Sequence, residues 1–198
     1  MIILSACDEK YEPMVRPLVR SVLKNTQYDI HVDYLNPELE REFLKDYCAN
    51  YRIRMFLEHA DRGKSMLWLD ADTIVRKDIL KLEEWLEEHD TIAVHTPEMG
   101  TPGTMNHWLI STVGISKHPG GRDFLRAWSK EFQKIHEDWY PSIMTCQQAY
   151  VTALKGFKVK DITYDYSDKN MRDESPLWEA QGGRKSDLRW IAEQEKYS

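Results

Sequence analysis

Between Met66 and Val75 a short apolar run, Met66 to Leu69, ends in two carboxylates, Asp70 and Asp72, after which Ile74 and Val75 return the chain to apolar character. Residues at i and i+2 of an extended segment point the same way, so both carboxylates can face one hard divalent cation. Such a cation prefers oxygen ligands and often takes phosphate oxygens as the remainder. The small Ala71 between them leaves room for a bulky diphosphate. An Asp-x-Asp pair is also common as a solvated turn or a helix N-cap. The apolar flanks favour the site reading here, because carboxylates set into a buried segment need a partner. In an open α/β sheet, ligands bind beyond the C-terminal ends of the strands, which is where these residues fall.

The elements that must position this pair alternate along the chain. Met1 to Ala6 reads as a buried strand, and Val15, Leu18, Val19 and Val22 mark the inner face of a helix ending near Asn25. Asp29 to Tyr34 forms a second strand. Pro37 opens a helix to about Cys48, and another covers Arg52 to Ala60. After the Met66 strand, Ile79, Leu82 and Leu86 give a helix its stripe, and Thr91 to Val94 a short strand. His95 to Asn106, with two Pro and two Gly, is a loop. Trp108 to Ser116 is a strand, and Gly120-Gly121 leads into a helix carrying Phe124, Trp128 and Phe132. A last helix runs from Ser142 to Leu154, followed by a strand near Val159 to Thr163. Asp165 to Lys185 is polar and irregular and reads as an active-site loop. This alternation predicts an α/β fold with a mostly parallel sheet and helices on both faces.

Composition narrows the function. The 198 residues suit one domain, and a net charge of -6 excludes nucleic acid as the main partner, since binding a phosphate backbone needs a basic surface. Cys7, Cys48 and Cys146 have no metal-type spacing, which predicts reduced thiols. The apolar start, Met1 to Leu4, is too short for a signal peptide or membrane span, so the expectation is a cytoplasmic protein without an integral membrane segment.

Taken together, these blocks resemble nucleotide-sugar glycosyltransferases of the GT-A fold, in particular family 8 and related short viral and bacterial members. The resemblance implies one GT-A (Rossmann-like) domain, with a nucleotide-sugar half at about 1–95 and an acceptor half at about 96–198. The opening from Ser5 to Tyr11 is similar to the family's Ala-Ala-Asp-x-x-Tyr turn. That similarity implies Asp8 for a uracil N–H and Tyr11 for stacking; for Asp8 the residue type also allows a plain N-cap. Leu67 to Asp72 resembles the family's Tyr-Leu-Asp-x-Asp. The resemblance implies that Asp70, Ala71 and Asp72 meet the donor and that Mn²⁺ or Mg²⁺ bridges the two Asp side chains and the diphosphate. Asp72 would then hold the metal more closely, and Asp70 would also approach the ribose. The family's upstream basic residue matches Arg52 or Arg54 equally well.

Trp178 to Lys185 resembles the family's His-x-x-Gly-x-x-Lys, with Gly182 and Lys185 in register and Glu179 at the His position. The resemblance implies Glu179 as third metal ligand and Lys185 on the diphosphate; a solvated loop Glu is the alternative. Gly182 and Gly183 would let backbone N–H groups approach phosphate oxygens. Two further blocks depart from the pattern. Cys146-Gln147 stands for Asp-Gln, which makes Cys146 a small buried residue and Gln147 a candidate donor-face group. Thr112 stands for an Asn that touches sugar. Asp138, near Trp139 and Tyr140, is a candidate base for the acceptor hydroxyl.

The activity so implied is metal-dependent transfer of a sugar from a UDP-hexose type donor to a glycan or glycoprotein hydroxyl. A non-catalytic nucleotide-sugar binder is the alternative. A haloacid-dehalogenase-type phosphatase fits less well, since Thr73 is three residues after Asp70 where that motif needs Thr or Val at four.

Overall fold

The computed structural model describes residues 1–35, 44–95, 108–138, 143–163, 165–180 and 182–197, with backbone alone for 44–50, 136–138 and 143–145. Strands β1 (Ile2–Cys7), β2 (Asp29–Tyr34), β3 (Met66–Leu69), β5 (Thr91–His95), β6 (Trp108–Ile115) and β7 (Val159–Ile162) form the central sheet in the order β2-β1-β3-β6-β5-β7. The β1–β2, β1–β3 and β5–β7 pairs are parallel, while β6 runs antiparallel to both β3 and β5. The sheet is therefore mostly parallel, as the strand–helix alternation predicts.

Strand period then decides the layers. Ile2, Leu4, Met66 and Trp68 face one core with helices α2 (Leu44–His59), α4 (Pro119–Asp138) and α5 (Ile143–Ala153). Ile3, Leu67 and Leu69 face the other, with α1 (Glu12–Asn25) and α3 (Leu80–Glu88). Successive side chains of one strand point to opposite faces, so a strand buried on both faces reads as a continuous apolar run. Helix α4 comes close to the end of β6: a Cβ on Gly121 would lie 2.2 Å from the Ser116 carbonyl oxygen, so only glycine fits there.

Three expectations need correction. The two helices read from Pro37 to Cys48 and from Arg52 to Ala60 are, within the described residues, one helix, α2, followed by a single 3-10 turn at Ala60–Arg62; Pro37 itself and the loop over 96–106 lie outside the described residues. Asp165 to Lys185 is not an irregular loop throughout. It contributes β8 (Ser167–Asp168) and β9 (Leu177–Glu179), which with β4 (Thr73–Val75) form a second sheet in the order β4-β9-β8, and a 3-10 helix at Gly182–Ser186. The Ser142 to Leu154 helix is not the last one, because α6 (Leu188–Glu195) follows. Trp190 of α6 packs with Ile74, Met171, Trp178 and Ala180 in a third apolar cluster. Arg76 ties the cluster together, with its guanidinium 3.8 Å from the Trp178 ring centre and its Nε donating to Glu193.

Candidate functional site

After β1 the chain crosses to β2 on one side, then returns to β3 on the other. The crevice outside the C-terminal ends of β1 and β3 is thus a topological switch point, where doubly wound sheets bind ligands. A cleft of about 250 Å³ opens there. Asp8 and Tyr11 line it from the β1–α1 turn, Arg52 from α2, and Asp70, Ala71 and Asp72 from the end of β3. Leu35, Tyr51 and Trp68 complete its apolar wall. Of these three, Trp68 was legible in sequence, being at i−2 from Asp70 in an extended run and so on the same face.

Each charged group has a partner. Asp70 Oδ1 accepts from Arg52 at 2.7 Å and from the Trp68 indole at 2.6 Å, while the Arg52 guanidinium sits 4.8 Å from the Trp68 ring centre. Arg54 pairs instead with Glu58 on the exposed side of α2. Arg52, and not Arg54, is thus among the residues that line the cleft, because the helix points residues two apart in different directions. Asp72 Oδ2 accepts from the Lys185 ammonium at 3.0 Å, and Lys185 lies 4.4 Å above the Tyr11 ring centre. Its Nζ is also 3.3 Å from the Tyr11 hydroxyl. Burial pushes the Asp72 carboxyl up, and the neighbouring Asp70 charge pushes it further, against the pull of Lys185. Burial alone would lower the Lys185 ammonium, but Asp72 and Tyr11 hold it above its usual range. Asp8 both lines the cleft and caps locally, its Oδ1 accepting from the Tyr11 amide at 2.9 Å.

Glu179 corrects one of its sequence readings: it is no solvated loop residue but lies on β9, 2% exposed. Its Oε1 accepts from Thr112 at 2.7 Å and from Ser167, and its Oε2 from Ser111 at 2.7 Å. Burial pushes its carboxyl up, against those three hydroxyls. Thr112, at the position of a sugar-touching Asn, is itself fully buried. Two departures from the family pattern, Thr112 and Glu179, are thus bonded to each other.

Cys146 is buried, and burial pushes its thiol up to about 11 against an opposing pull from Arg52, so it is no thiolate nucleophile. Gln147 on α5 donates its amide to the Trp108 carbonyl at the start of β6. Gly182 opens a 3-10 helix where a loop was expected, and a Cβ on Gly183 would meet no atom within 4 Å, so no protein contact demands glycine there. Asp138 ends α4, and its side chain lies outside the described residues.

The two carboxylates suit a hard divalent cation by chemistry. Both offer oxygen ligands, and burial together with the Asp70 charge raises the Asp72 carboxyl. Lys185 supplies positive charge at the same place.

Comparison with solved structures finds glycosyltransferases. The chain matches the glycosyltransferase GlyE of Streptococcus pneumoniae TIGR4 with a TM-score of 0.65 at 13% identity, over 98% of this chain and 59% of that one. It matches a glycosyltransferase involved in glycosylation of the major capsid of PBCV-1 with a TM-score of 0.64 at 13% identity, over 99% of this chain and 97% of that one. A third match is the galactosyltransferase LgtC, solved with donor and acceptor sugar analogs: TM-score 0.62, 14% identity, 99% of this chain and 96% of that one. No protein-family profile and no curated protein matches the sequence. The chain has the GT-A glycosyltransferase fold. It spans 59% of the length of GlyE.

Proposed function

We propose that the protein is a glycosyltransferase that moves a sugar, of hexose type, from a uridine diphosphate donor to an acceptor hydroxyl. The observation that carries this reading is the convergence of Asp8, Tyr11, Arg52, Asp70, Ala71 and Asp72 on one cleft at the switch point of this fold. Tyr11 offers a ring for the base and Asp8 an acceptor for its N–H. Asp70 and Asp72 would hold Mn²⁺ or Mg²⁺, which when bound supplies positive charge to the donor's diphosphate. Lys185 adds a fixed cation beside Asp72, suited to the negative charge that develops on the leaving diphosphate. Arg52, buried between Trp68 and Asp70, holds the Asp70 carboxylate in place. On the acceptor side, Asp138 is the candidate base and Gln147 the candidate donor-face group. The acceptor in this reading is a glycan or glycoprotein.

The test is a panel of nucleotide sugars with Mn²⁺, reading both transfer and slow donor hydrolysis, with UDP and GDP as competitors. Turnover of a UDP-sugar, inhibited more strongly by UDP than by GDP and abolished by EDTA or by Asp72→Asn, is expected. Binding without turnover across the panel would leave a nucleotide-sugar-binding protein, and stronger inhibition by GDP would remove Asp8 and Tyr11 from base recognition.

A further inference from the structure

The Asp70–Ala71–Asp72 corner is held from two sides. The Asp70 amide donates to the Ser111 carbonyl at 3.0 Å, and the Asp72 carbonyl accepts from the Ala180 amide at 3.0 Å. Ser111 belongs to β6 of the central sheet, whereas Ala180 directly follows β9 of the small sheet. What joins these two anchors is Glu179: its Oε2 accepts from the Ser111 hydroxyl at 2.7 Å, and its own peptide bond leads to the Ala180 amide. The connections close a ring, from Asp70 through Ser111, Glu179 and Ala180 to Asp72. The other carboxylate oxygen braces the ring, accepting from Thr112 on β6 and Ser167 on β8. Within β4, Thr73 pairs with Glu179 itself, so the strand leaving the corner is in register with the same residue.

We propose that Glu179 is a positioning residue that clamps the two sheets together and thereby sets the separation and direction of the Asp70 and Asp72 carboxylates. The role rests on the reading of the cleft as a donor site. A cation-and-diphosphate site tolerates little displacement of its ligands, and groups that orient ligands typically contribute on the order of 10- to 100-fold to metal affinity or activity. A carboxylate suits the clamp, because three hydroxyls donate to it: an imidazole accepts only one bond, and an amide turns donors toward a hydroxyl that must then reverse its bond. It differs from a ligand role in a way that substitutions can read.

The experiment compares wild type, Glu179→Gln, Glu179→His and Ser111→Ala. Two readouts are taken: amide hydrogen exchange, and Mn²⁺ affinity with and without UDP. Positioning predicts faster exchange at the amides of Asp70 and Ala180, by about 10-fold or more, with β1 amides unchanged. It also predicts a fall of roughly 10-fold or more in Mn²⁺–UDP affinity for all three variants. Ser111→Ala is informative because it removes a link of the ring without touching a carboxylate, and it retains the Ser111 carbonyl. A ligand role predicts the opposite pattern, with Glu179→His keeping Mn²⁺ affinity and Ser111→Ala behaving as wild type; that result overturns the proposal. Unchanged exchange at Asp70 and Ala180 in both Glu179→Gln and Ser111→Ala overturns it as well. If wild type binds no UDP with any cation, the donor-site reading falls, and the exchange data alone decide whether the clamp exists.

Discussion

Lys185 holds the place of a cation: its ammonium lies 3.0 Å from Asp72 Oδ2 and over the Tyr11 ring. A divalent ion approaching Asp72 must compete with it, while a diphosphate arriving with that ion gains it as a partner. Lys185→Met should therefore act in opposite directions on two measurements. Affinity for Mn²⁺ alone rises several-fold, and affinity for UDP in saturating Mn²⁺ falls by roughly 10-fold, the loss of one hydrogen bond to a charged group. Calorimetric titrations of the variant decide it, and a fall in both affinities would show that Lys185 supports the carboxylates without competing for them. At this scale the sequence was informative wherever chemistry lay in a short run. Asp70, Ala71 and Asp72 were legible from period and flanks, and Asp8, Tyr11 and Lys185 from a motif. Arg52 against Arg54 was not, because composition is identical at both and only helix rotation against β3 distinguishes them.

At the scale of elements, two of the three strands of the small sheet, β8 and β9, lie where polar, irregular composition predicts a loop. Strands of two or three residues have no readable period; here the buried carboxylates of Asp168 on β8 and Glu179 on β9 bond to neighbouring segments and hold the strands in place. Asp168 is fully buried and organises the turn after β8. Its carboxylate accepts from the amides of Asn170 and Arg172, from the Arg172 guanidinium at 2.8 Å, and from the Ser175 hydroxyl. Burial pushes the carboxyl up, but the Arg172 guanidinium and these amides outweigh it and hold it below its usual value. A carboxyl lowered on folding stabilises the protein above its unfolded value, and that contribution is lost as pH falls through the folded one. Asp168→Asn is expected to cost about 1–3 kcal/mol near pH 7. The gap to wild type should narrow as pH drops below about 4. Urea unfolding of both proteins at pH 7 and pH 3 checks it; a gap of equal size at both values would show that the loss comes from packing and not from charge.

At the scale of the molecule, the lining of the cleft falls between Ala6 and Asp72, and Lys185 joins it from far along the chain through its bond to Asp72. Ligand bound there should stabilise the fold as a unit. At a free concentration of about 100 times Kd, UDP with Mn²⁺ adds roughly 2.7 kcal/mol. Scanning calorimetry should show a single transition moved upward by UDP and Mn²⁺ together, and returned to its original position by EDTA. A second, unmoved transition would mean that the small sheet and α6 unfold independently of the site.

The sequence by itself determined the α/β class, the double burial of β1 and β3, and the carboxylate pair at the end of β3. These follow from periodicity and residue type, which act over a few neighbouring positions. Tertiary structure alone decided that β1 and β3 are adjacent, so that their C-terminal ends make a switch point. It also placed Arg52 and not Arg54 on Asp70, and it made Glu179 a buried acceptor for hydroxyls on β6 and β8. Such pairings bring together residues as distant as Tyr11 and Lys185, 174 positions apart, and no local pattern records which distant segment will supply a charged group's partner.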